Sequence, residues 1–152
     1  MPRPKITGFE LKYDKAIMRI AKASGSFTLK DLKDIRLAAS KDHCFVAEVN
    51  SKPAGFIVFK AQKKDSRILF LAVNPKFQGS GLGGRLLKRA ERHIKAHKAK
   101  RVILHTFGYS GSYNPFYKVR EFYYRNGFHR LREIPNGFVN GVDKLIMVKE
   151  FA

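Results

Sequence analysis

At 152 residues, 44% of them hydrophobic, the chain can bury one core but not two, so a single domain over 1–152 is expected. No run nears the roughly 18 apolar residues of a membrane helix, and the opening MPRPKITGFE lacks the apolar stretch of a secretion signal; together these predict a soluble, cytoplasmic protein with no membrane partner. The 31 basic residues against 12 acidic ones give +19 at neutral pH, a field that draws polyanions and repels free cationic amines.

In chain order, residues 5 to 12 read as a first strand anchored by Ile6 and Phe9. Asp14 stands where it would cap a short helix presenting Ile17, Ile20 and Ala21 on one side. Thr28 followed by Asp31 makes a capping box for a second helix, with Leu29, Leu32, Ile35 and Ala39 at helical spacing as core contacts. Cys44, alone of its kind and among apolar neighbours, reads as a small buried hydrophobe. From Cys44 to Val49 the residues alternate, placing Phe45, Ala47 and Val49 on one face, and a turn over Asn50–Pro53 leads into a strand at 55–60. Arg67–Val73 is the next strand, apolar without interruption from Ile68, as suits burial on both faces.

The best helix spans Gly81–Lys98, where Leu82, Leu86, Ala90 and Ile94 recur every fourth residue and Arg85, Lys88, Arg89, Arg92, Lys95 and Lys98 make the rest basic. A strand at Arg101–Phe107 follows, then a helix over 115–125 stopped by Asn126-Gly127. Strands beginning at Phe128 and Lys144 complete the chain, with turns at Asn136-Gly137 and Asn140-Gly141. This order predicts an α+β fold, helices wrapped on one sheet.

The stretch from Ile68 to Gly84 carries the functional signal. Asn74-Pro75 ends the strand because proline supplies no ladder donor, and glycines at 79, 81, 83 and 84 let the backbone pass close to a bulky ligand. Amides left free at the start of the next helix, together with its dipole, attract an anion. A nucleotide P-loop would end Gly-Lys-Ser/Thr, and this one reads Gly-Gly-Arg. Gly79, Gly81 and Gly84 have dinucleotide-fingerprint spacing, but no carboxylate stands near Leu104, where the ribose-binding acid is expected about 20 residues on. A flexible hairpin or a plain helix cap is the bland alternative.

Val73, Pro75, Gln78, Gly81 and Gly83 in VNPKFQGSGLGGRLL resemble the acyl-coenzyme A loop of the GNAT acetyltransferase superfamily, Gln/Arg-x-x-Gly-x-Gly/Ala. About 40 residues later, FYYRNGF is similar to that superfamily's second landmark, a helix end carrying a tyrosine and then Gly-Phe entering a strand. The resemblance covers roughly residues 43 to 150. It implies the GNAT acyltransferase fold, a mixed, mostly antiparallel central sheet flanked by helices, with the central strand and the strand after the long helix splayed around a pantetheine arm. It also implies acetyl-coenzyme A (acetyl-CoA) as cofactor. By position, Leu71, Ala72 and Val73 would hold the arm, and Gln78, Gly79, Ser80, Gly81, Leu82, Gly83, Gly84 and Arg85 the pyrophosphate. Asn114 would be a further contact to the arm, although it stands nine residues before Tyr123, farther than is usual.

Acyl transfer to an amine needs a neutral nucleophile, a place for negative charge and an acid for the departing thiolate. The resemblance makes Tyr123 that acid, and a phenol of pKa about 10 suits the role; a core aromatic is the plain alternative. His105 lies on the strand where several members carry a glutamate base, and an imidazole titrates near neutrality; a satisfied interior histidine, with deprotonation by solvent, is equally open. Of five histidines only His93 and His97 stand at i, i+4, on a helix basic enough to repel a cation, so no metal site is expected. The chain is thus expected to be an N-acetyltransferase acting on a primary amine of a protein, peptide or small molecule, with a homodimer left open. The alternative is a GNAT-fold protein with reduced catalysis that binds RNA, the ribosome or another polyanion, suggested by the charge and by Tyr109, Tyr113, Phe116 and Tyr117 among basic residues. A generally basic proteome accounts for the charge as well.

Overall fold

The computed structural model describes residues 3–25, 27–108, 117–139 and 142–151. In order these form β1 (Lys5–Gly8), α1 (Asp14–Ser24), α2 (Leu29–Lys41), β2 (His43–Val49), β3 (Lys52–Lys60), β4 (Asp65–Val73), α3 (Leu82–Ala96), β5 (Arg101–Phe107), α4 (Tyr117–Arg125), β6 (His129–Val139) and β7 (Val142–Glu150), with 3-10 turns at Leu11–Tyr13 and Pro75–Phe77. The strands make one sheet in the order β1-β2-β3-β4-β5-β7-β6. Every neighbouring pair is antiparallel except β4 and β5. Fold class and element order agree with the sequence expectation.

The sheet is covered on both faces, and the strand residues sort between two apolar cores. Phe45, Ala47, Ile57, Phe59, Val102 and Leu104 pack under α3 and α4. Cys44, Val46, Phe56, Val58 and Ala72 pack under α1 and α2. The predicted stripe of α3, Leu82, Leu86, Ala90 and Ile94, is wholly buried. The Thr28/Asp31 capping box is present in both directions, with Asp31 N–H donating to Thr28 Oγ1 at 3.1 Å and Thr28 N–H to Asp31 Oδ2 at 3.0 Å. Burial pushes the Cys44 thiol up to about 12, so it is inert packing.

Several local expectations are corrected. β1 stops at Gly8, and the chain coils through a 3-10 turn that leaves Leu11 exposed. Asp14 does not cap α1; it is the helix's first residue and pairs instead with Arg36 of α2 at 3.4 Å. Leu29 is 81% exposed and Ile35 and Ala39 are the buried contacts, because at 3.6 residues per turn Leu29 lies about 120° around the helix from Ile35. β2 buries both faces, not one, since helices lie on either side. Asn136-Gly137 is no turn between strands: Asn136 adopts φ 52° inside β6, where the register with β7 slips between Ile134 and Val139. The Asn140-Gly141 turn and the predicted start of the fourth helix at 115 lie outside the described residues.

The feature that positions the site is the junction of β4 and β5. They pair only through Asp65↔Arg101, Ser66↔Val102 and Arg67↔Ile103. On the β3 side, Val58 faces Phe70 while Phe59 faces Ile68, so Leu69 is an extra residue on β4. A bulge bends the strand that carries it, and it falls where β4 leaves β5. Past Arg67, residues 68–73 of β4 have no partner on the β5 side among the described residues. Arg101 closes the paired end by donating from Nε to Asp65 Oδ1 at 2.7 Å, and that hydrogen bond holds the Asp65 carboxyl below its ordinary range.

Candidate active site

At the open end of the gap, β4 gives way to the glycine turn. Asn74 Oδ1 accepts from the Lys76 N–H at 3.0 Å and nucleates the short 3-10 turn. Ser80 Oγ donates to the Phe77 carbonyl. Gly79 and Gly81 take φ of 81° and 88°, the left-handed region that side chains resist. Space beside both is open, with nothing within 4 Å of an added Cβ. Gly81 is the N-cap of α3 and no side chain caps that end. The first amides of a 15-residue helix are therefore left to an outside acceptor. With the positive end of the dipole behind them and Arg85 exposed one turn in, they form a cradle fit for a pyrophosphate.

Leu71, Ala72 and Val73 lie where expected, on the stretch of β4 that has parted from β5. Gln78 folds back so that its Nε2 donates to the Val73 carbonyl at 3.2 Å, which ties the turn to the strand end. Gly83 has a different reason to be glycine: a Cβ there would meet the Phe122 ring at 3.3 Å. The first turn of α3 thus packs directly on α4. Asn114 lies outside the described residues.

The FYYRNGF landmark has a physical meaning in this fold. The Phe128 N–H donates to the Tyr123 carbonyl at 3.0 Å and the Gly127 N–H to that of Tyr124 at 3.1 Å, with Gly127 at φ 92°. This is a Schellman cap, and its characteristic apolar contact is Tyr123 against Phe128, ring centroids 5.6 Å apart. Phe122 also packs edge-on against Tyr123, at 5.2 Å. The cap therefore fixes the Tyr123 ring in the core beneath α3. Burial raises the phenol well above the ordinary tyrosine range, so it keeps its proton across neutral pH.

His105 is on the opposite face of β5 from Leu104, and Arg67 Nη2 sits 2.9 Å from its Nδ1. A guanidinium can only donate, so Nδ1 is the acceptor and the imidazole is neutral with its proton on Nε2. Burial first, then Arg67 and Lys144, brings the group down to about 4. Its one lone pair is already engaged, which sets it apart from the base expected at this position.

Sequence reading missed the residues that join these parts. Arg120, buried on α4, donates from Nη1 to the carbonyls of Phe107 and Gly108, pinning α4 to the end of β5. Lys149 of β7 reaches Glu91 Oε1 of α3 at 2.8 Å and the Asn126 carbonyl at 2.9 Å, locking both helices to the sheet. Each links segments far apart in the chain, so no local pattern announced it.

The profile of the acetyltransferase (GNAT) domain matches residues 40–130. An uncharacterized N-acetyltransferase of Methanocaldococcus jannaschii is 28% identical over 109 residues, covering 71% of this chain and 67% of that protein. A putative GNAT acetyltransferase from Desulfovibrio desulfuricans superposes with a TM-score of 0.90 at 20% identity, covering 99% of this chain and 100% of the other. The ribosomal-protein-S18-alanine N-acetyltransferase of Escherichia coli does so with 0.82 at 19% identity, over 99% and 95%. A GNAT acetyltransferase from Elizabethkingia anophelis, solved with acetyl-CoA bound, gives 0.76 at 20% identity, over 97% and 98%.

Proposed function

The chain belongs to the GNAT acetyltransferase family, and from that premise we propose that it moves an acetyl group from acetyl-CoA to a primary amine of a protein, peptide or small molecule. The observation that carries this reading is the uncapped start of α3 at Gly81, opening beside the stretch of β4 that has no β5 partner. The cofactor supplies the activated thioester when bound. The amides of the 79–84 turn and Arg85 bind its phosphates, and the backbone of Leu71, Ala72 and Val73 orients the arm along the gap. Buried and protonated, Tyr123 donates its hydroxyl proton toward the departing sulfur; the burial that keeps this proton in place also disfavours a bare thiolate. The Arg67 hydrogen bond engages the lone pair of His105, so the amine proton goes to solvent and His105 shapes the acceptor side.

Calorimetry with acetyl-CoA at low salt, followed by an amine panel read by thiol release, tests the proposal. Heat at one equivalent and turnover on at least one amine are expected; absence of heat overturns it. A second reading, binding of a polyanion such as RNA, is favoured by a recess of about 990 Å³ at the far end of α3, where Lys95, Lys98 and Lys100 stand beside Arg101 and Lys149, which are paired with Asp65 and Glu91, and a single acid, Glu150. RNA binding with a steep salt dependence and no affinity for the cofactor would support it.

A further inference from the structure

The i, i+4 pair His93 and His97 is not alone in the fold. His43, at the start of β2, comes from 50 residues earlier in the chain (93 − 43) to face both, with ring centroids 4.4 Å from His93 and 5.8 Å from His97. One ring nitrogen of each of the three lies within 4.8 Å of the other two. His97 Nδ1 donates to the His93 carbonyl at 3.1 Å, which leaves its Nε2 as the free lone pair. Most telling, the Nε2 of His93 is buried without any hydrogen-bond partner. An orphaned polar atom of that kind calls for a ligand.

We propose that His43, His93 and His97 form a binding site for one divalent transition-metal ion of the zinc class, which clamps the C-terminal end of α3 to β2. Imidazole suits zinc, nickel and copper, and three protein ligands with an open fourth position is a familiar zinc arrangement. A tetrahedral ion with bonds of about 2.0–2.1 Å needs nitrogens roughly 3.4 Å apart, a closure that side-chain rotation supplies because His43 and His97 are exposed. Phe59 stacks on His43 and Phe45 meets His93 edge-on, so the rings rest on an aromatic shelf that holds them facing one another.

The basic surface of α3 opposes a cation, and Arg89 lines the same recess as His43 and His93, yet two local features reduce that cost. His93 and His97 lie at the helix C-terminal end, where the dipole is negative. The recess of about 520 Å³ beside His43 and His93 also carries Asp42. His93 is 11 residues along α3 from Leu82, about 16 Å at helical rise, so the ion would sit far from the acetyl-transfer gap.

The test is titration of the metal-stripped full chain with Co²⁺, followed by visible absorption, and with Zn²⁺, followed by thermal unfolding. Expected are d–d bands saturating at one equivalent and an unfolding midpoint that rises with zinc. His43→Gln and His97→Ala should each weaken binding at least tenfold, and His129→Ala, exposed and remote from the trio, should not. Absence of bands and of any midpoint shift overturns the site. So does an equal response from the double variant His43→Gln/His97→Ala, whose two exposed positions leave the core intact.

Discussion

The two faces of the sheet are built by different rules. Under α3 and α4 the site is local in sequence: a strand end, a glycine turn and a helix start follow one another within 68–84, and Tyr123 sits in its own helix cap five residues from Phe128. On the face that carries α1 and α2 the facing groups, Arg67 and His105, come from separate strands and meet at the last rung, Arg67↔Ile103, before β4 and β5 part. A cofactor with a constant phosphate handle can be bound by a contiguous motif, whereas an acceptor of variable shape is met by whatever the fold brings together.

The sharpest way to break this contrast is Tyr123→Phe. It should lower kcat about 10²-fold with little change in cofactor affinity by calorimetry; unchanged turnover would move the chemistry away from the α3 and α4 face. Gly81→Ala comes next. Forcing a side chain to φ 88° costs roughly 1–2 kcal/mol, with nothing nearby to clash. It should weaken acetyl-CoA binding by about tenfold while leaving the acceptor KM unmoved.

On the other face the effects should be smaller. Arg67→Met removes the second cause of the low His105 pKa but not burial, the first. The pKa should therefore rise only part of the way back, as read by NMR titration. His105→Gln should leave kcat above pH 6.5 within a few-fold of the parent. The sign for stability is definite. His105 resists protonation in the folded state, with a folded value of about 4 against an ordinary value near 6.5. In the parent, its contribution is full above about 6.5 and is lost as pH falls toward about 4. Denaturant titrations of the Gln variant should lack that part of the slope.

Much of the fold was legible because its signals were short-range: the α3 stripe, the Thr28/Asp31 box, and the Asn126-Gly127 stop. The Leu69 bulge was not, since it is hidden inside the uninterrupted apolar run from Ile68 to Val73, and only pairing with β3 shows which residue is extra. Leu29 misled because steps of three residues drift around the helix, and two such steps from Ile35 carry it about 120° off the buried face. The histidine trio was half visible: the pair on α3 could be counted, but the third ring depended on where β2 starts. Lys149 and Arg120 carried no pattern at all, because each serves a contact that exists only after the strands have assembled.

The divergence of β4 from β5 has one more consequence. Main-chain donors and acceptors of β4 that have no β5 partner among the described residues resemble a raw strand edge, the kind of surface to which other chains add themselves. The cofactor arm would then serve as a plug as well as a reactant. Protein stripped of it should be the more prone to self-association, and keeping the ligand present is as much a matter of colloidal hygiene as of turnover.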